Sequence, residues 1–484
     1  MKYFLRGIIF LFLCPALLQA QGIISSLSAE LAKSPVFKDA QYSVYAKYAG
    51  GADIISINPD LRLAPASTLK LYTTAAALEE LGPDFRFKTE VYASGRRKGG
   101  VLAGDIYIKG GGDPTLGSVR MPLTPALEEL CDDWARAVKA AGIRTIKGNI
   151  YADNSIYGGV LLPWRTSYQN IGNYYAAPVD GLSARDNSYE IYFEPCSSAG
   201  QQAKVFRLDP QIKDLDVISH VKAYEIPDRE IIYINFTPGS NAVRAYGGIQ
   251  VSEKPLEVAA AMPDPALFFV QYLKAKLEEE GVKVKGSALV LAPRGYEDKR
   301  LLIAHLSPPL ADIVRYTNKR SFNLYADTLL RALSAYQGGD GSAQDGARRM
   351  RDFLVKLRVD NINFEVFDGS GLARDNITSC RTTVDMLEAV LSRPYKDIFI
   401  ESLPVAGDPL DNGGMAARLT KSAAAYNARV KTGSLDRARA HAGYVKDARG
   451  RDIVFCIMTN NFKGALWETN QMHEAVIDAL ANLK

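Results

Sequence analysis

Apolar and polar positions sort the chain into three zones. The first, about 21–87, holds a strand-like stretch, Tyr42-Ser43-Val44-Tyr45-Ala46, and then an Ala/Leu/Thr-rich helix from Ser67 to Leu81. Gly82-Pro83 stops that helix. The second zone, about 88–297, predicts strands at 88–93, 101–108 and 148–153 and a helix at 124–141. Short turn-separated strands follow at 188–194, 203–208, 215–221 and 230–236, then a helix at 263–280. Their spacing predicts a small all-β unit. The third zone, about 298–484, predicts helices at 308–317, 322–336, 343–357, 382–391 and 465–483. Its strands are predicted at 427–431, 441–447 and 452–459. Antiparallel strands ending in a helix predict an α+β layer.

Composition adds bounds. The chain has 484 residues, 47% apolar and 23% charged, with a formal net charge of +4. This is ordinary globular material, and so weak a balance argues against a nucleic-acid binder. Met1 to Gln21 reads as a basic start, an apolar run to Leu18 and a small residue at a cleavage point after Ala20. That predicts an export signal at 1–20, with an uncleaved anchor as the alternative. No other stretch is long and apolar enough to span a bilayer. Cys131, Cys196, Cys380 and Cys456 lie far apart with no C-x-x-C, which disfavours a metal site. Export would permit pairing, though Cys456 sits in an apolar run and reads as a buried thiol.

The strongest local chemistry is Pro65-Ala66-Ser67-Thr68-Leu69-Lys70. Three residues apart on a helix, Ser67 and Lys70 share a face. A helix start near Ser67 would offer free N–H groups and about half a positive charge to an oxyanion. Lys70 can act as a base only if its pKa falls from about 10.4 towards 7–8. Ser and Lys are common on helix surfaces, so this pair alone says little. Two further motifs change that: Ser321-Phe322-Asn323 before a helix, and Lys431-Thr432-Gly433-Ser434 ending a strand. Singly, Ser321 could be an N-cap and the Lys-Thr-Gly run a strand end. Together and in this order they are the set shared by β-lactamases and penicillin-binding proteins.

With Ser321 lying 254 positions after Ser67, the chain resembles the class C low-molecular-mass penicillin-binding proteins, D-alanyl-D-alanine carboxypeptidases/endopeptidases. Gly110 to Leu116, Gly148 to Asp153 and Asp368-Gly369-Ser370-Gly371-Leu372 resemble the family too. The resemblance implies a penicillin-recognising catalytic domain split over 21–87 and 298–484. It also implies an inserted domain II (88–187 and 247–297) and a small β domain III (188–246). By the same resemblance Ser67 is the nucleophile, Lys70 its base and Ser321 the proton relay to the leaving D-alanine. Asn323 holds the substrate amide and Lys70. Lys431 depresses the Lys70 pKa and attracts the terminal carboxylate, which Thr432 and Ser434 bind beside Gly433. The backbone N–H groups of Ser67 and Ser434 make the oxyanion hole. Arg374, at the cleft rim, reaches a stem carboxylate, although the Asp368–Arg374 stretch also reads as a plain turn. Relatives often carry an aspartate where Asn170 stands, so charge-based recognition of the stem end is in question here. The implied partners are peptidoglycan stem peptides and, as inhibitors, β-lactams. No cofactor or nucleic acid is implied, and a homodimer is open. The implied place is the periplasm, soluble or peripherally attached to the membrane.

His220, His305, His441 and His473 are scattered, with no H-E-x-x-H, and there is no G-x-S-x-G. His441 reads as structural, and Gly110–Gly112 as a turn without a P-loop lysine. Two other functions fit the same motifs: a β-lactamase or esterase, disfavoured by the long insert, and a non-catalytic penicillin sensor, disfavoured by three intact motifs.

Overall fold

The computed structural model describes residues 39–159, 161–162, 165–225, 231–237, 240–293 and 295–484. The predicted signal lies outside them. Five antiparallel strands form the main sheet, in the order Arg429–Leu435, Ala438–Lys446, Asp452–Asn460, Gln41–Tyr48, Asp53–Ile57. The central strand Ile453-Val454-Phe455-Cys456-Ile457-Met458 is apolar throughout because both its faces are covered. Val454, Cys456 and Met458 pack against a helical layer that includes Lys70–Leu81, Asn323–Ala335 and Cys380–Val390. Ile453, Phe455 and Ile457 pack on Val476, Ile477 and Leu480 of the C-terminal helix Leu466–Ala481. The α+β sandwich thus follows from one alternating strand.

The material between has its own core. A five-stranded sheet runs Ala288–Val290, Ile150–Asp153, Ile106–Lys109, Lys88–Ala93, Arg300–Leu306. Val91, Ile106, Ile108 and Ile150 share a core with Leu130, Trp134, Phe269 and Leu273 of helices Leu127–Ala140 and Pro265–Glu279. Arg300–Leu306 pairs with Lys88–Ala93, so this sheet extends past the expected boundary at 297/298. Only period-2 partnering, which its mixed Arg-Leu-Leu-Ile-Ala-His-Leu sequence barely shows, places that strand. The β-rich part forms two three-stranded sheets. One pairs Val205–Asp209, Ser188–Phe193 and Leu256–Ala261. The other is ordered Asp216–Tyr224, Ala242–Gln250, Ile231–Phe236. The first takes a strand from either side of the expected break at 246. Cys131, Cys196, Cys380 and Cys456 are all buried free thiols. No helix among the described residues is long and apolar enough to cross a membrane.

Candidate active site

The predicted helix at Ser67 begins as a tight 3-10 turn, Ala66–Leu69, and becomes α-helical at Lys70. Ala66 has φ +48, a left-handed conformation that costs roughly 1–3 kcal/mol for a non-glycine residue. Two loops hold the turn there. The carbonyl of Ala66 lies so close to Gly371 that any Cβ at 371 would collide with it. On the other side, a Cβ at Gly433 would stand 2.7 Å from the Pro65 oxygen and 2.9 Å from the Ser67 nitrogen. The glycine of the Lys-Thr-Gly run is therefore what lets the sheet edge lie against the serine turn.

Lys70 is fully buried. Its Nζ lies 3.0 Å from Ser67 Oγ, 2.7 Å from Asn323 Oδ1 and 2.7 Å from the Ser370 carbonyl oxygen. Burial lowers its pKa to about 8, while Asp327 and Asp368 act in the opposite sense. The expected lowering of Lys70 by Lys431 does not figure in that balance, which burial dominates; the effect runs the other way, from Lys70 onto Lys431. Burial first, and then the charge of Lys70, push its pKa well below the ordinary value. Lys431 Nζ donates to Ser321 Oγ at 2.8 Å and to the Thr432 carbonyl at 2.8 Å. Ser321 is itself left-handed, with φ 56 and ψ 36 between two helices, so Phe322 rather than Ser321 occupies the N-cap position.

Several functional partners carry no signature in the motifs. The Tyr175 carbonyl, from the inserted region, accepts from Asn323 Nδ2 at 2.8 Å and so orients that amide. Asp327 Oδ1 accepts the N–H groups of Gly369 and Ser370, each at 2.8 Å. Asp368 accepts those of Gly371 and Ala373 and the Asn376 amide. The Asp368–Gly371 loop is thus a tight turn and also the support that delivers a carbonyl to Lys70. Burial raises the pKa of Asp327 to about 7. Its position one helical turn after Asn323 was the available clue.

A cavity of about 470 Å³ opens over Ser67, lined by Asn170, Tyr175, Asn323, Arg374 and Ser434 among others. Arg374 lies at the rim, and its Nη1 donates to the Asp436 carbonyl at 2.7 Å. Asn170 Oδ1 accepts from the Tyr175 hydroxyl at 3.3 Å. Thr432 sits opposite His441 in the register. His441 is buried and shares a 2.8 Å Nδ1–Nδ1 hydrogen bond with His473, which makes its role structural. Among the described residues no group of acids, cysteines and histidines could hold a metal.

Known proteins share this architecture. The profile of the D-Ala-D-Ala carboxypeptidase 3 (S13) family matches residues 23–483. A D-alanyl-D-alanine carboxypeptidase of Actinomadura sp. (strain R39) is 30% identical over 436 residues, covering 86% of this chain and 77% of the relative. The crystal structure of penicillin binding protein 4 from Haemophilus influenzae superposes with a TM-score of 0.80 at 23% identity, over 95% of this chain and 99% of the other. The same Haemophilus protein complexed with a β-lactam gives 0.77 at 24%, with the same coverage. The chain therefore belongs to the D-Ala-D-Ala carboxypeptidase 3 (S13) family of low-molecular-mass penicillin-binding proteins, and is a serine DD-peptidase of peptidoglycan.

Proposed function

We propose that Ser67 is the nucleophile and Lys70 its general base, on one observation: the hydrogen-bond inventory around Nζ. Asn323 Oδ1 and the Ser370 carbonyl can only accept. As a neutral amine, Lys70 gives its two N–H bonds to them, and the lone pair that remains faces the Ser67 hydroxyl 3.0 Å away. Ser67 Oγ then bonds to the carbonyl carbon between the D-alanines while its proton passes to Nζ. Lys431 donates to Ser321 Oγ, which leaves the Ser321 proton free to go to the departing D-alanine nitrogen as the C–N bond breaks. Ser321 is reprotonated by Lys70. The backbone N–H groups of Ser67 and Ser434 stabilise the oxyanion, supported by the close approach at Gly433. Thr432 and Ser434 bind the terminal carboxylate against the Lys431 charge. Water releases the acyl group by the reverse proton path.

Arg374 and Asn170 meet the stem from the cavity wall, and the neutral Asn170 favours a stem end with no free amino group to grip. This suits cross-linked stems and extends the reaction to endopeptidase cleavage. The β-lactam held by the Haemophilus relative supports acylation of Ser67 by penicillins. The basic start and apolar run of the 1–20 segment support export to the periplasm. The separate apolar core running from Val91 to Val284 supports an insert between the two parts of the catalytic domain.

The test incubates the mature protein with a muropeptide pentapeptide, cross-linked dimers and labelled penicillin. D-alanine release with lasting label, both abolished in Ser67→Ala, is expected. Rapid penicillin turnover without D-alanine release would overturn the reading.

A further inference from the structure

The sheet formed by Asp216–Tyr224, Ala242–Gln250 and Ile231–Phe236 is buried on one face through Val221, Ala223, Val243, Ala245 and Ile234. Its other face is open. Register places His220 beside Tyr246 and Tyr246 beside Tyr233, a row of three rings across the strands. Tyr246 and Tyr233 are 38% and 37% exposed. The exposed His220 ring lies parallel to Tyr246, 5.1 Å between centroids. Lys222 and Arg244 stand exposed on the same face, and among the described residues neither takes part in an ion pair.

This face runs into the catalytic cleft. One row along from Tyr233, Asn235 stands opposite Arg244 and is covered by the cleft wall: its Nδ2 donates to the Tyr168 and Ile171 carbonyls at 2.7 and 3.2 Å. The same wall carries Asn170 and Tyr175 into the cavity above Ser67. Tyr168, whose carbonyl accepts from Asn235, is itself 68% exposed on this wall.

We propose that this face binds the saccharide strand of peptidoglycan as it leaves the cleft; the inference rests on the DD-peptidase reading. Sugar rings offer C–H faces and hydroxyl edges, which match side chains with an apolar body and a polar tip. Strands lie about 4.8 Å apart, so the row spans about 10 Å, close to one disaccharide. Lys222 and Arg244 meet the carboxylates of neighbouring stems. A bilayer-binding face would instead carry Trp, Phe or Leu, and the described residues of this face expose none.

The experiment uses the full chain bearing Ser67→Ala, titrated with soluble stem-free glycan strands. Binding is expected, and His220→Ala/Tyr246→Ala should weaken it at least tenfold. In the active enzyme the same double substitution should cut D-alanine release from whole sacculi at least tenfold and leave release from a free pentapeptide unchanged. Equal binding by the double variant would overturn the proposal. So would binding of free stem peptide or anionic phosphatidylglycerol vesicles without binding of glycan. Loss of pentapeptide hydrolysis by the unsubstituted enzyme would instead sink the DD-peptidase reading, so the two failures are distinguishable.

Discussion

Lys70 is buried, and on the proposed mechanism its two acceptors, Asn323 Oδ1 and the Ser370 carbonyl, leave its lone pair facing Ser67. With its pKa lowered to about 8, roughly a tenth is neutral at pH 7. Acylation, read as kcat/KM for a pentapeptide, should therefore climb with pH through an apparent pKa near 8. Asp327 opposes that lowering, so the sign of its removal is fixed. Asp327→Asn keeps an acceptor for the Gly369 and Ser370 N–H groups and deletes the charge. The rising limb should move to lower pH with the maximum rate held within a few fold. Asp327→Ala deletes the acceptor too and should cut the maximum about tenfold or more, as the Ser370 carbonyl leaves Nζ. If both variants keep the parent pH profile, Asp327 does not act on Lys70. Ser67, Lys70, Ser321, Asn323 and Lys431 were legible because side-chain chemistry recurs at fixed spacing. The Tyr175 and Ser370 carbonyls were not, since a backbone oxygen leaves no mark on residue type.

At the level of elements, two glycines set the distance between the serine turn and its walls. Gly433→Ala should push the Arg429–Leu435 strand off the turn and spoil an oxyanion donor, slowing acylation about 10²-fold. Thermal melting should change little, because that strand keeps its other neighbour. Gly371, at φ 84, bears a double constraint, and Gly371→Ala should lose melting temperature as well as rate. A Gly433→Ala enzyme with parent burst kinetics would remove the close approach from the mechanism. Most helices and the apolar central strand were legible from periodicity. Ala242–Gln250 was missed: its alternation is interrupted by Gly247 and Gly248. Lys396–Ser402 was missed because seven residues are too few to display a helical period.

Across the whole molecule, the long interval between the first two motifs holds material with its own apolar core. Its limits could not be foretold, because they depend on the pairing of Arg300–Leu306 with Lys88–Ala93. The insert also supplies Tyr175, so catalysis depends on how it seats. All four described cysteines are buried thiols, and a melting curve should be the same with and without reductant. A reductant-dependent drop of several degrees would reveal a bond between them. The main sheet has one more consequence. Gln41 pairs with Asn460, so an early strand waits for one of the last. The insert pairs within itself and can fold on its own, but the catalytic sheet cannot close until nearly the whole chain is available. An unfinished copy ending before Asp452 would carry Ser67 and Lys70 yet have no sheet to hold them. Hydrolysis of the wall is thereby withheld from any copy that stops before Asp452, a safeguard written in connectivity alone.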